Sequence, residues 1–374
     1  MTDEIPAIVK GRMMEVRRGT RRGRGAVTNP VGRFERSRVV PLEGGEGQER
    51  TVEEEIGPLR TTVTPDATKS IIARNDSPDI PFDQSINPYR GCEHGCIYCF
   101  ARPSHAYLGL SPGLDFETRI FSKPRAPQLL RDELRKPGYR CDVLALGSNT
   151  DPYQPAEKLL LITRQILEVL AEHNHPISIV TKSELVLRDL DILEPMAARR
   201  LASVFVSVTT LDPGLARRME PRAATPARRL ETIRRLSEAG LPVGVLASPM
   251  ILGLNDHEAE KILEACAAAG ARSAGYILLR LPLELKEMFS DWLRENEPLR
   301  ADRVLHLIRE TRGGKLNDST FGRRMRGTGP QAELLRKRFE VARRRHGLLN
   351  RPAPLDFTQF RVPPRSGDQI ALFD

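Results

Sequence analysis

Short apolar runs alternate with longer amphipathic stretches from about residue 84 onward. The runs 142–147 (DVLALG), 177–181 (ISIVT), 203–209 (SVFVSVT), 243–247 (VGVLA) and 274–279 (AGYILL) are nearly continuously apolar and rich in β-branched residues. That is the pattern of strands buried on both faces. Between them the spacing turns helical. Over 156–171, Leu159, Ile162, Ile166, Leu167 and Leu170 recur on one face. The stretch 226–239 has Thr225 to cap its start, Pro226 in its first turn and Gly240 to stop it. Residues 256–269 repeat the device, with Asn255 or Asp256 at the start and Gly270 at the end.

A first strand at 85–89 completes six βα units, and 118–123 is a further strand candidate. Strands each followed by a helix predict an α/β fold with a parallel sheet. Six units fall short of a closed eight-stranded barrel. An incomplete, open barrel or a doubly wound sheet remains, and in both the chemistry gathers at the carboxyl ends of the strands.

The flanks read differently. Residues 1–80 form a basic, irregular arm: Arg12, Arg17, Arg18, Arg21, Arg22, Arg24, Arg33, Arg36 and Arg38 face only Glu15 and Glu35, and 41–55 then turns acidic and Gly-rich. Such a charge-segregated arm is expected to be flexible unless a partner orders it. Residues 81–285 hold the βα units, and 286–374 read as a helical extension with an irregular, Pro-containing tail. Within it, 331–346 predicts a basic amphipathic helix packing on Leu334, Leu335, Phe339 and Val341.

Charge adds less than it first suggests. The net +9 over 374 residues would suit a nucleic acid. Yet only ten of the 58 basic residues are Lys, a bias that a GC-rich genome also produces, so both readings stay open. No apolar run approaches the roughly 18 residues of a membrane span, and the first thirty residues lack a secretory stretch, so a cytoplasmic chain is expected.

The candidate chemistry lies in NPYRGCEHGCIYCF. Cys92, Cys96 and Cys99 stand within eight residues, three of the five cysteines in the chain. Soft thiolates select zinc or iron–sulfur centres. A structural zinc site needs four closed ligands; His94 lies inside the loop and no further cysteine pair follows. Four irons on three thiolates would leave one iron open, as catalysis requires.

This CxxxCxxC spacing, with Tyr98 before the last cysteine and a βα repeat behind it, resembles the radical S-adenosylmethionine superfamily. Within it, GSNTDPYQPAE, IVTKS, VSVTTLDPGLARRMEPR and VLASPMILGLND are similar to the spore photoproduct lyase branch, described as DNA repair photolyase-like, over about residues 82–285. The preceding RGRGAVTNPVGRFE looks like the arm of an uncharacterised subgroup. The resemblance implies a partial (β/α)6 TIM-like barrel and a [4Fe-4S] cluster on Cys92, Cys96 and Cys99. It further implies S-adenosylmethionine chelated at the open iron, cleaved to a 5′-deoxyadenosyl radical by an electron from a flavodoxin- or ferredoxin-type donor.

Several roles follow from the same resemblance. Tyr98 would sit against the adenine, and Lys182, at a strand end, would pair with the cofactor carboxylate. Where many relatives hold the amino group with Gly-Gly-Glu, this chain has Gly147-Ser148-Asn149-Thr150-Asp151, so Thr150 or Asp151 would serve, unless they only cap the helix before Pro155. Ser207 and Thr209 share a strand face and could reach the ribose; Pro249-Met250-Ile251 would pack the adenine. Arg222 is a candidate for an anionic group or for a salt bridge to Glu220, and Arg280 is a weaker candidate for substrate.

One part of the branch pattern is missing. Spore photoproduct lyases return a hydrogen atom from a cysteine through a tyrosine pair. Here the second tyrosine position falls on Phe100, Cys141 precedes its strand rather than following it, and Ser148 and Asn149 occupy the carboxyl end. Cys266 falls in an apolar helix stripe and reads as core. The expectation is a radical enzyme without that relay, acting on an unidentified substrate, with nucleic acid a candidate. The competing reading is a non-enzymatic nucleic-acid-binding metalloprotein with a structural metal.

Overall fold

Six of the short apolar runs pair side by side in chain order. The computed structural model describes residues 23–34, 59–349, 351 and 353–364. Its strands are β1 (Thr62–Pro65), β2 (Ile72–Arg74), β3 (Gln84–Ile86), β4 (Tyr89–Arg90), β5 (Arg119–Ser122), β6 (Leu144–Leu146), β7 (Ile177–Thr181), β8 (Ala202–Ser207), β9 (Val243–Met250) and β10 (Ser273–Leu278). The main sheet runs β10-β9-β8-β7-β6-β3-β2. From β3 to β10 every pairing is parallel, and β2 joins antiparallel at the edge. A doubly wound sheet would reverse direction at a switch point. This order never reverses, so the sheet is a partial, open barrel of the (β/α)6 type.

Local sequence explains the crossover helices. Thr225 Oγ1 accepts from the Arg228 amide and Pro226 opens the helix Pro226–Glu238, which Gly240 ends at φ +79°. The expected helix over 156–171 is two helices, Glu157–Leu160 and Ile162–Glu172, broken at Leu161 with φ +55°. The buried Glu157 carboxylate is the cause: it accepts from the Thr163 amide at 3.1 Å and so caps the second helix. Leu159 is left 88% exposed. Residues 85–89 also divide, between β3 and β4, and the extra strand expected at 118–123 is β5, in a separate small sheet with β1 and β4.

The flanking segments join the core more closely than the sequence suggested. A second apolar cluster unites Ala26, Val27, Cys96, Ile97 and Tyr98 with Phe289, Trp292, Leu305 and Ile308. The helices Leu285–Asn296 and Ala301–Glu310 therefore pack over the cysteine loop. The helix Pro330–Arg345 is present, but its buried face is Ala332, Leu335, Phe339 and Ala342, while Leu334 and Val341 are exposed. Part of the expected flexible arm is likewise ordered: Arg24, Ala26, Val27 and Thr28 are buried, and β1 and β2 lie within 59–80. Arg12, Arg17, Arg18, Arg21, Arg22, Arg36, Arg38 and the acidic stretch lie outside the described residues. Among the described residues no helix is long and apolar enough to cross a membrane.

Candidate cofactor site

The cysteine loop leaves β3 at its carboxyl end. Two left-handed glycines shape it, Gly91 at φ +78° and Gly95 at φ +68°, where a side chain would be strained. The Cys92 amide donates to Phe116 O at 2.9 Å and the Ile97 amide to Met219 O at 3.0 Å. Beneath the loop the buried Arg102 guanidinium donates to the carbonyls of Gly95 (3.0 Å), Cys96 (2.8 Å), Pro112 (3.1 Å) and Gly113 (2.9 Å). Gln154 ties the same loop to the end of β6 by accepting from the Glu93 amide at 2.9 Å and donating to Gly91 O at 3.2 Å.

Cys92, Cys96 and Cys99 are all free thiols, the first two buried and the third partly so. Burial pushes each thiol's pKa up, and Cys92 is raised further by the neighbouring Asp151, Cys96 and Cys99. Backbone donors answer this: the Asp151 amide favours the Cys92 thiolate, and the Ala101 and Arg102 amides favour that of Cys99. Three thiols close enough for Cys92 and Cys96 to feel the charge of their neighbours, two of them, Cys92 and Cys99, with amides aimed at the anionic form, suit a cationic centre. Among the described residues no three His, Cys, Asp or Glu side chains converge on one ion position. An iron–sulfur cluster is held by cysteine thiolates, one to each iron. The donor set fits an iron–sulfur cluster.

Because the strands are parallel, residues that follow them emerge on the same edge as the cysteines. Lys182 follows β7, and its ammonium lies 5.8 Å from the centroid of the Tyr98 ring. Burial lowers its pKa, which the nearby Cys96 opposes. The other expected residues are differently engaged. Thr150 is buried and donates its hydroxyl to Tyr89 O at 2.9 Å. Asp151 Oδ1 accepts from Thr181 Oγ1 (2.8 Å) and the Tyr153 amide (2.9 Å), and Oδ2 from the Lys182 amide (2.8 Å), with His94 Nδ1 at 3.3 Å. Burial would raise the Asp151 carboxyl, but His94 and these donors bring it down to about 2. The Asp151 carboxylate is thus held by donors of the protein, whereas Thr150, which donates its proton to Tyr89 O, keeps its hydroxyl lone pairs. His94 turns to Asp151 rather than towards the thiols.

The Tyr98 phenol donates to Glu220, whose carboxylate also accepts from Thr209 Oγ1 (2.7 Å) and from Arg229. Thr209 lies beyond the end of β8, and Ser248 O at 3.0 Å is the alternative acceptor for its single hydroxyl proton. Ser207 closes β8, buried, with its carbonyl accepting from Arg229 Nη1 at 3.0 Å. Arg222 pairs with Glu93 at 3.1 Å, not with Glu220. Arg280 lies 5.5 Å from the Phe100 ring centroid. Cys141 sits before β6, at the amino end, its thiol pushed up to about 12 by burial and Asp142. Cys266 is fully buried in the barrel core.

Three contributors escaped the sequence reading. Arg229 sits one turn into its helix and reaches back to Glu220; no local pattern marks a buried pair across nine residues. Asn255, expected as a helix cap, instead accepts from the Ile251 amide (2.7 Å) and donates to the carbonyls of Thr209 (2.8 Å) and Pro249 (3.0 Å), joining the ends of β8 and β9. Glu117 is wholly buried below the cysteine loop, bound to Arg102 at 2.5 Å.

Comparison with known proteins agrees with this fold. The chain is 37% identical over 288 residues to an uncharacterised protein of Mycobacterium tuberculosis, covering 76% of this chain and 81% of the relative. An uncharacterised protein of Methanocaldococcus jannaschii is 28% identical over 173 residues, 46% of this chain and 62% of that one. A solved spore photoproduct lyase variant shares the fold at TM-score 0.56 and 16% identity, over 76% of this chain and 80% of its own. Another, with bound AdoMet and dinucleoside spore photoproduct, matches at TM-score 0.56 and 15% identity over the same shares. Residues 86–266 match the radical SAM superfamily. With its three cysteines on an open βα barrel, the chain belongs to the radical SAM superfamily, whose members use an iron–sulfur cluster and S-adenosylmethionine.

Proposed function

We propose that Cys92, Cys96 and Cys99 hold a [4Fe-4S] cluster, and that the protein cleaves S-adenosylmethionine reductively to abstract hydrogen from a substrate. The observation that carries this reading is the set of three free thiols on one loop at the carboxyl end of β3, two of which, Cys92 and Cys99, have backbone amides favouring their thiolates. When bound, the cluster and cofactor supply one-electron cleavage of the sulfonium, the electron coming from a flavodoxin- or ferredoxin-type donor. The chain's part is to bind and orient. Lys182 would hold the cofactor carboxylate, and the Tyr98 ring, fixed by Glu220, would form a wall of the site.

The same reading separates this protein from thiol-mediated hydrogen return. Cys141 lies at the opposite end of β6 from the cysteine loop, and Ser148 Oγ accepts from Asn87 Nδ2 at 3.2 Å where a donor would stand. Phe100 has no phenol to relay a hydrogen atom.

Anaerobic reduction of the reconstituted protein with S-adenosylmethionine is expected to give 5′-deoxyadenosine, tested with and without DNA or RNA. A fully loaded cluster that gives none would overturn the enzymatic reading and leave a structural metal. With dinucleoside spore photoproduct the expected result is no repair to thymine dinucleoside. Repair would overturn the separation from the lyases' relay.

A further inference from the structure

The segment RGRGAVTNPVGRFE has no role in the barrel or at its mouth, yet most of its described residues, 23–34, make a specific contact. Arg24 donates to Glu117 O at 2.8 Å, Leu59 O at 2.5 Å and Thr61 Oγ1 at 3.1 Å. The amides of Gly25 and Ala26 donate to the two oxygens of the Glu117 carboxylate at 3.0 and 2.8 Å. Asn29 Oδ1 accepts from the Leu114 amide at 2.7 Å, capping the helix Leu114–Thr118, and Pro30 O accepts from Ser111 Oγ at 2.5 Å. Arg33 donates to Pro103 O at 3.3 Å and pairs with Glu284 at 2.6 Å, and Phe34 stacks on Tyr107 with centroids 5.1 Å apart.

One contact reaches the cysteines' own loop. A Cβ on Gly25 would lie 1.8 Å from Gly95 O, midway between Cys92 and Cys99. A Cβ on Gly95 would in turn lie 2.8 Å from Glu117 Oε2. Glu117 thus receives the two amides of the segment on one side and, on the other, Arg102, which itself holds the carbonyls of Gly95 and Cys96. A single buried carboxylate connects the segment to the loop.

We propose that residues 24–34 are a strap that sets the cluster-binding conformation of the cysteine loop, with Glu117 as its positioning residue. This rests on the cluster reading above. If strap and loop form one unit, docking of the strap and loading of the cluster are linked, and each favours the other by the same factor.

The test uses the full chain. Amide hydrogen exchange over 23–34 is compared between apo and anaerobically reconstituted protein, and the expected result is about 10-fold slower exchange when loaded. In Gly25→Ala the new methyl meets a backbone carbonyl that cannot swing aside, so iron release to a chelator is expected about 10-fold faster than from wild type. Equal exchange in apo and cluster-loaded wild type, or wild-type release from a folded G25A, would overturn the strap. A wild type that takes up no cluster at all would instead overturn the cluster reading. The exchange measurement needs no variant, so it decides the matter even if G25A does not fold.

Discussion

Replacing Lys182 with methionine separates what this side chain does for the fold from what it does for the cofactor. Its ammonium stands at the end of β7 with a pKa lowered by burial and by Arg229, which Cys96 and Asp151 oppose, and Asp151 also accepts its backbone amide. The direct neighbour is the ring of Tyr98, 5.8 Å from the nitrogen to the centroid. Methionine keeps the length and apolar stem. The apo protein then loses a cation–π contact of about 2 kcal/mol where the cation is desolvated and is relieved of the charge whose burial opposes it. The expected net change in unfolding free energy is within about 1 kcal/mol of wild type, measured by urea denaturation of the apo protein.

Cofactor binding should respond quite differently. A charge-assisted hydrogen bond to a carboxylate contributes about 1.5–3 kcal/mol, so K182M should weaken S-adenosylmethionine binding by about 10- to 150-fold. Calorimetric titration of anaerobically reconstituted protein measures this. A Kd within about twofold of wild type, under 0.5 kcal/mol, would show that another group holds the carboxylate. Loss of about 3 kcal/mol or more from the apo protein would show that Lys182 is structural. Only a stable fold with weakened binding supports the assignment.

Replacing Cys92, Cys96 or Cys99 singly by Ala should abolish iron retention after reconstitution, while C266A, altering a residue in the barrel core, should keep it; iron analysis decides. Gly147→Ala at the end of β6 places a methyl 2.3 Å from Val180 O at φ +90°. Left-handed strain of about 1–2 kcal/mol plus that clash should lower stability by at least about 2 kcal/mol, and unchanged urea unfolding would refute the close approach of β6 and β7. Burial holds the His175 pKa at about 4 against an ordinary 6.5, so the folded state keeps it neutral. Its stability contribution is therefore complete above pH 6.5 and falls away between there and pH 4, by about 3 kcal/mol in all. A urea-midpoint profile of apo protein with the same acid slope in H175Q as in wild type would contradict this.

The barrel was legible in the sequence because its signals are local. Thr225, Pro226 and Gly240 bound one helix within a residue, and 177–181 matches β7. Legibility failed where a buried partner comes from elsewhere. The predicted helix over 156–171 has its apolar stripe, but Glu157, fixed by Arg188 at 2.9 Å and by Tyr89, caps a second helix and breaks the first. Arg222, two residues from Glu220, looked the natural partner; a turn carries it to Glu93, and Arg229 takes its place. The helix Pro330–Arg345 buries two alanines in preference to Leu334 and Val341, because small residues admit the close approach of Ala259–Ala268.

Within the basic arm, residues 24–34 show most clearly where charge patterning and structure parted. Nine arginines against two glutamates describe a segment that water and counterions could solvate, so sequence predicted a flexible tether. What orders residues 24–34 is not the sum of those charges. It is a glycine with room only for a hydrogen against Gly95 O, and a carboxylate 91 residues from Ala26 waiting below the cysteines. Neither can be read from its neighbours in the chain. The same holds on the far side, where Phe289 and Trp292 from the expected extension share a cluster with Ile97 and Tyr98. The cysteine loop is therefore packed by segments from both flanks, while the strand ends supply Lys182 and the Tyr98–Glu220–Thr209 contacts. A barrel cut at 81–285 would keep the strand ends but uncover Ile97 and Tyr98, and burial of the loop is what pushes the three thiols' pKa values up. On this geometry the flanks belong to the cofactor site as much as the strands do.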